Sequence, residues 1–327
     1  MNGLTNNFDV IVIGGGPAGL SAGIIASLKG LVTAVFEGGT WGGLLSTIYP
    51  KKKIYNYPGT PRIRAEHLVS EWVRQAADHG VHLIKERVIK IHRNLNVVTS
   101  EGTSYQAKSI IIATGMKPNE LGIPGEAKLS SKDRGVYPYV IEPDIFYNRR
   151  VLVVGGGDTA IDAVLDLNNI AQKIYLAHRR NDFRASEKNL DLVKKEKMAE
   201  ILTNVSIKEI LGQRKVEGAI LEDINTREKI ELNVEKVILA VGLKPNTEIF
   251  EDLGLEFQGK FLKTDQLQRT NIEGVFAAGD IVTPYQLATL AAAQGALAAH
   301  GAYIYIRDPY WKQEHIKETS EIKRQIV

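Results

Sequence analysis

Short apolar runs closed by glycine punctuate this chain. Residues 10–13 (V-I-V-I) and 151–154 (V-L-V-V) are continuous and largely β-branched rather than alternating, the pattern of strands buried on both faces. Each run leads into a glycine turn and a helix-compatible segment: V-I-V-I-G-G-G-P-A-G-L-S-A at 10–22 and V-L-V-V-G-G-G-D-T-A-I-D-A at 151–163. A second pair echoes the first. A-T-G-M-K-P-N at 113–119 and A-V-G-L-K-P-N at 240–246 each follow a buried-strand pattern, at 109–112 and 236–239. The spacing is far too long for a solenoid repeat. It predicts two related nucleotide-binding units, one inserted in the other.

Other elements follow from the same patterning. Strands are predicted at 8–13, 31–36 and 274–278. An amphipathic helix is predicted over 65–79, with Leu68, Trp72 and Ala76 on one face and Gly80 as its stop. The most apolar stretch, 287–306, is interrupted by Gln294 and His300 and loosened by Gly295 and Gly301, so it reads as a buried helix beginning near Pro284 rather than a membrane span. The first unit then occupies 1–116 and 247–327, the second 117–246. A Lys-Pro after a glycine breaks regular structure, so both K-P-N segments are predicted to be hinge-like crossovers. Residues 308–327 carry no core-forming pattern.

Composition narrows the chemistry. The 327 residues are 44% hydrophobic and 24% charged, which fits a folded chain of two domains. A formal net charge of +3 argues against nucleic acid or an anionic membrane as partner. The first seven residues are short and polar, so a cytoplasmic setting is expected. Cysteine is absent, which excludes disulfides, thiolate metal sites and every dithiol relay. His67, His79, His82 and His92 are scattered without metal-ligand spacing, so no metal is expected.

The turns themselves carry the candidate chemistry. Gly14-x-Gly16-x-x-Gly19 follows a strand and opens a helix: the first glycine permits the tight turn, the second admits a pyrophosphate to the backbone, and the third lets helix and strand close together. Glu37 ends the next strand about 20 residues on, where a carboxylate accepts ribose hydroxyls and repels a 2′-phosphate. Gly155-x-Gly157-x-x-Ala160 repeats the turn. At the register of Glu37 it has His178-Arg179-Arg180, with Arg184 close behind. Guanidinium forks match a 2′-phosphate, so this unit is predicted to take NADP rather than NAD. In A-A-G-D at 277–280, Asp280 is placed to accept from a ribityl or diphosphate-side hydroxyl.

Together these residues resemble the thioredoxin-reductase-type flavoproteins over nearly the whole chain. The matching strings are G-G-G-P-A-G with Glu37, G-G-L-L at 42–45, Y-N-Y-P-G at 55–59, A-T-G at 113–115, G-G-G-D-T-A at 155–160, H-R-R-x-x-F-R-A at 178–185 and A-A-G-D at 277–280. The resemblance implies an α/β fold of two Rossmann-like three-layer domains, an FAD domain split around an inserted NADPH domain, in a homodimer. It places FAD on Pro17 and Ala18 of the first turn, on Gly43, Leu44 and Leu45, on Asn56 and Val88, and on Ala113, Thr114, Gly115, Gly279 and Asp280. It places NADPH on Asp158 and Thr159 beside the second turn's Gly155, Gly157 and Ala160, and on His178 with its arginines.

One departure decides the function. After Arg134-Gly135-Val136 the family carries a C-x-x-C; here the thiol positions fall on Tyr139 and Glu142, which cannot shuttle electrons as a disulfide. The chain is therefore similar to the branch of thioredoxin-reductase-like ferredoxin–NADP reductases, which G-G-L-L-S-T-I-Y-P at 42–50 and the C-terminal extension also resemble. That branch implies hydride transfer from NADPH to FAD, then single-electron steps to ferredoxin. It implies Tyr49 stacked on one flavin face, His315 of the partner subunit on the other, and Thr319 near flavin N5. Leu44 stands where a polar Gln is frequent. Lys51, Lys52 and Lys53 are the candidate docking charges for an acidic ferredoxin. Two other readings share the motifs: an NAD(P)H-dependent diaphorase reducing quinones or dyes, and a non-catalytic flavin-binding redox sensor.

Overall fold

The computed structural model describes residues 6–48, 53–60, 62–131, 133–140 and 142–308. Tyr49, Lys51, Lys52, His315 and Thr319 lie outside the described residues. The chain folds as two compact units, Met1–Lys117 with Pro245–Val327, and Pro118–Lys244.

Five parallel strands build the first unit. In spatial order they are His82–Ile84, Thr33–Phe36, Asn7–Ile13, Ser104–Ile112 and Val275–Ala277. Val88–Ile91 and Asn96–Thr99 add an antiparallel flap on the first half of Ser104–Ile112. Successive side chains leave a strand on opposite faces. Val10 and Val12 accordingly pack with Leu20, Leu68 and Trp72 beneath helices Pro17–Leu28, Ala65–Asp78 and Ala288–Arg307. Ile11 and Ile13 pack the other way, with Phe36, Tyr105 and Phe250. The result is a three-layer unit.

The first and last helices of this unit touch at Gly295, where a Cβ would stand 2.0 Å from the Ala18 carbonyl oxygen. Beside it the Ser21 hydroxyl donates to Ala292 O at 2.7 Å. The last helix starts at Ala288, four residues beyond the expected start. The Thr283 hydroxyl accepts the Tyr285 N–H, and Leu287 N–H returns to Tyr285 O, so the chain turns once more before Leu287 caps the helix in extended conformation.

The second unit repeats the plan. Its parallel strands are Glu200–Thr203, Lys173–His178, Arg150–Val154, Lys236–Leu239 and Val136–Tyr137. Helices Asp158–Leu167 and Glu187–Lys195 cover one face with Ile161, Val164, Leu190 and Val193. On the other lies an antiparallel sheet of Val205–Leu211, Gly218–Asp223 and Lys229–Leu232.

The K-P-N crossovers are not broken chain. Met116–Pro118 and Leu243–Pro245 are short strands that pair as a two-stranded ribbon. Each proline closes its strand, and a two-stranded ribbon is all edge, where a residue without an N–H is tolerated. In the first unit Asn246 N–H donates to Gly115 O and the Thr114 hydroxyl to Asn246 O; in the second, Asn119 N–H donates to Gly242 O. Lys117 pairs with Glu248, and Lys244 with Glu120 at 3.8 Å.

Candidate functional site

In the first unit the glycine turn is built for backbone approach. Gly14 has φ of +111°, and a Cβ there would stand 2.2 Å from the Ala113 carbonyl oxygen, so the turn lies against the end of Ser104–Ile112. Gly19 is closer still: a Cβ would meet the Gly14 oxygen at 1.7 Å. Gly16, by contrast, faces open space, with nothing within 4 Å of its Cβ direction. It is the N-cap of Pro17–Leu28, and no side chain caps that end. Uncapped N–H groups and the positive end of the helix dipole therefore face the gap beyond Gly16, which is the chemistry a pyrophosphate needs.

Glu37 stands beside this turn. Its Oε2 accepts Gly15 N–H at 2.8 Å and its Oε1 accepts Gly39 N–H at 2.5 Å. Each oxygen keeps a lone pair for a ribose hydroxyl, and the fixed negative charge opposes a 2′-phosphate. Gly43 approaches Gly16, a Cβ on it reaching 3.5 Å from the Gly16 Cα, so its backbone adjoins the same gap. Leu44 opens the short helix Leu44–Ile48, and Leu45 packs on the core. Val88 opens the first flap strand and buries its side chain in the core, which leaves only its backbone for a ligand. Asn56 is exposed in a bend. Trp41 is a feature the sequence pattern did not reveal: Gly15 lacks a Cβ where the indole lies, at 2.4 Å from the position a Cβ would take.

Asp280 provides the sharpest test of fit. Burial pushes its carboxyl up to about 6, because the charged form loses water. A desolvated carboxylate next to an open glycine turn suits the hydroxyls of a ribityl–diphosphate chain, which would return the lost hydrogen bonds. Gly279 N–H is held by Gln294 Oε1 at 3.0 Å, and a Cβ on Gly279 would lie 2.8 Å from that of Ala18. Asp280 is thereby fixed close to the first helix. These residues fit FAD.

The second unit shows the same turn with different ends. Gly155 presses on Ala240 as Gly14 does on Ala113, with a would-be Cβ at 2.4 Å from the carbonyl oxygen. Gly157 is open and caps Asp158–Leu167 without a side-chain cap. Ala160 carries the Cβ that Gly19 cannot, 3.1 Å from the Cβ position of Gly155.

His178 differs in kind from the arginines after it. It is 8% exposed, its ring lies under Gly156, and the Phe183 ring packs on it at 4.8 Å, tilted by 37°. Burial, helped by Arg180, Arg179 and Arg184, holds it below the ordinary histidine range, although its Nε2 bonds Asp182 O at 3.1 Å. The imidazole is a buried platform beneath the turn. Arg179 and Arg180 are exposed, and among the described residues neither they nor Arg184 has an ion-pair partner. Arg184 N–H donates to Gly156 O at 2.7 Å, which folds the loop onto the turn. Asp158 uses its carboxylate to accept Ser186 N–H at 2.9 Å, while Thr159 follows it in the first helical turn. Three free guanidiniums beside an open turn fit the extra phosphate of NADPH. Tyr139 is half-buried and Glu142 exposed, ahead of the 3₁₀ turn Pro143–Phe146. Among the described residues no metal-ligating cluster occurs, and no helix is long and apolar enough to cross a membrane.

Residues 8–295 match the family model described as pyridine nucleotide-disulphide oxidoreductase. A ferredoxin–NADP reductase of Thermus thermophilus is 36% identical over 314 residues, covering 91% of this chain and 92% of the relative. A thioredoxin reductase of Peptoclostridium acidaminophilum is 32% identical, covering 93% and 98%. Among solved structures, the thioredoxin reductase of Lactococcus lactis superposes with a TM-score of 0.82 at 32% identity, covering 92% of this chain and 99% of that one.

Proposed function

The chain belongs to the pyridine nucleotide-disulphide oxidoreductase family, and from that premise we propose that it is a ferredoxin–NADP reductase working as a homodimer in the cytoplasm. The observation that carries the proposal is a pair of intact dinucleotide turns in a chain without cysteine. Exchange with a disulfide substrate needs an enzyme thiolate, and none can form here. The similarity to the Thermus ferredoxin–NADP reductase supports an iron–sulfur acceptor.

Bound FAD supplies the conversion of hydride equivalents into single electrons. The chain's own residues bind and discriminate. The open turn at Gly16 and the Pro17 helix end take the FAD diphosphate, Glu37 takes the adenosine ribose, and Asp280 takes the ribityl side. Ala113, Thr114 and Gly115 close the turn's far wall. The family resemblance assigns the rest of the flavin surround to Tyr49, to His315 of the partner subunit and to Thr319, which lie outside the described residues. The Gly157 turn takes the NADPH diphosphate, and Arg179, Arg180 and Arg184 take the 2′-phosphate.

The test uses purified, yellow holoenzyme with NADPH and cytochrome c. Added ferredoxin should raise the rate, and that increment should fall steeply with ionic strength, since steering is screened over about 8–10 Å at ordinary salt. Reduction of a small neutral dye should fall much less. Ferredoxin giving no rate above the dye background at low salt would assign the chain as a diaphorase instead. Thioredoxin reduction at a comparable rate would overturn the proposal.

A further inference from the structure

The arginine loop of the second unit is held by four polar contacts, three of which belong to the turn and the loop itself: Arg184 N–H to Gly156 O, Ser186 N–H to Asp158 Oδ1, and His178 Nε2 with Asp182 O. The fourth comes from elsewhere. Asn204 Nδ2 donates to Asn181 Oδ1 at 2.8 Å, and Asn181 directly follows Arg179 and Arg180.

Asn204 sits where two sheets of the unit meet. Glu200–Thr203 ends the parallel sheet, with Thr203 paired to His178, and Val205–Leu211 begins the antiparallel one. Between them Asn204 turns the chain at φ of +56°. Its carbonyl accepts Ile224 N–H at 2.8 Å, which ties the kink into the antiparallel sheet. A left-handed residue at a kink is most cheaply glycine. Asparagine tolerates the same backbone and adds an amide, and that amide is spent on the arginine loop.

We propose that Asn204 is a positioning residue for NADPH: it fixes the loop through Asn181, so that the guanidiniums of Arg179 and Arg180 are presented to the 2′-phosphate in one arrangement. Long arginine side chains lose rotamer freedom when they bind, and a loop already fixed at its base reduces the further ordering needed. Asn204 acts through Asn181, to which its amide donates. The inference rests on the assignment of this loop to NADPH.

The test is binding of adenosine 2′,5′-diphosphate and of 5′-AMP to the flavin-loaded enzyme by calorimetry. The two probes differ in the 2′-phosphate and neither carries nicotinamide. Asn204→Gly keeps the left-handed backbone and removes only the amide, so its thermal midpoint should stay at the wild-type value. It should weaken adenosine 2′,5′-diphosphate roughly three- to tenfold, the worth of one ordinary hydrogen bond, and leave 5′-AMP unchanged. Asn181→Ala should do the same, and the double variant should lose no more than either single one, because both remove one bond. In turnover, KM for NADPH should rise by the same factor with kcat and the NADH constants unmoved. Equal loss for both probes would make Asn204 a merely structural residue. No loss for either, or additive losses in the double variant, would show the bond to be idle. If Arg179→Ala with Arg180→Ala leaves the preference between the probes intact, the loop is not the phosphate site, and it is the functional assignment that falls.

Discussion

The two units share the order of their four central parallel strands, the glycine turn and the helix after it, yet they differ in the residues around the turn. In the first, the acid Glu37 accepts the Gly15 N–H of the turn; in the second, the same register holds buried His178, followed by exposed Arg179 and Arg180. The third turn position separates them too. Gly19 lies so close to the Gly14 oxygen that no side chain fits, whereas Ala160 keeps its Cβ. One scaffold thus becomes a tight, charge-repelling pocket and a looser, charge-attracting one. The difference is made by residues after the turn rather than by the sheet.

The strongest way to break that comparison is to exchange the third position. Gly19→Ala places a Cβ against backbone that cannot yield and should cost roughly 3 kcal/mol, the upper end for overpacking, with loss of visible flavin absorbance in the purified protein. Next in size is nucleotide choice. Replacing Arg179 and Arg180 by Ala should erase most of the preference for NADPH over NADH, roughly ten- to a hundredfold and chiefly in KM; an unchanged ratio in steady-state kinetics would refute the assignment.

Asp280 gives a pH-dependent sharpening. Its carboxyl titrates near 3.8 in the unfolded chain and about 6 in the folded one, so the folded state binds the proton more tightly. Folding stability of the flavin-free protein should therefore fall as pH rises through that window and then level off, by on the order of 3 kcal/mol. Asp280→Asn should remove this fall, so the flavin-free variant is the more stable form above pH about 6 while retaining flavin less well. Denaturant midpoints across pH, for both proteins, measure it. The smallest expected effect is Ala160→Gly, which restores the first unit's residue to the second and should cost under about 1 kcal/mol by helix propensity, with NADPH binding retained; thermal unfolding and a KM suffice to check it.

Much of this was legible in sequence because glycine turns and buried strands are local. Residues 10–19 and 151–160 announce their geometry without reference to the rest of the chain. Leu68, Trp72 and Ala76 announce the buried face of one helix, and all three are in the core. The misses depended on contacts that a residue pattern does not display. Pro284 looks like a helix start, but hydrogen bonds at Thr283 and Tyr285 delay it to Ala288. The K-P-N segments look like breaks, but each finds the other as a strand partner. Trp41 has no pattern around it; its place becomes visible in the bare Gly15 opposite and the core it packs on. His178 reads as one more cation beside arginines, and its burial under Gly156 becomes visible only once the loop is folded back.

The strand order also carries a consequence for synthesis. Chains leave the ribosome from the N-terminus, and domains fold as units as they emerge. The inserted unit is contiguous, and its last parallel strand is complete at Leu239. The surrounding unit has four parallel strands by Ile112 but receives its fifth, Val275–Ala277, and the helix that seats Gly295 on Ala18 only near the end of translation. During that interval the free side of Ser104–Ile112 is an unpaired edge ending in the apolar run 110–112, the kind of surface that recruits other nascent chains. The speed at which the final third is translated should therefore govern how much of the product escapes aggregation, independently of how stable the finished protein is.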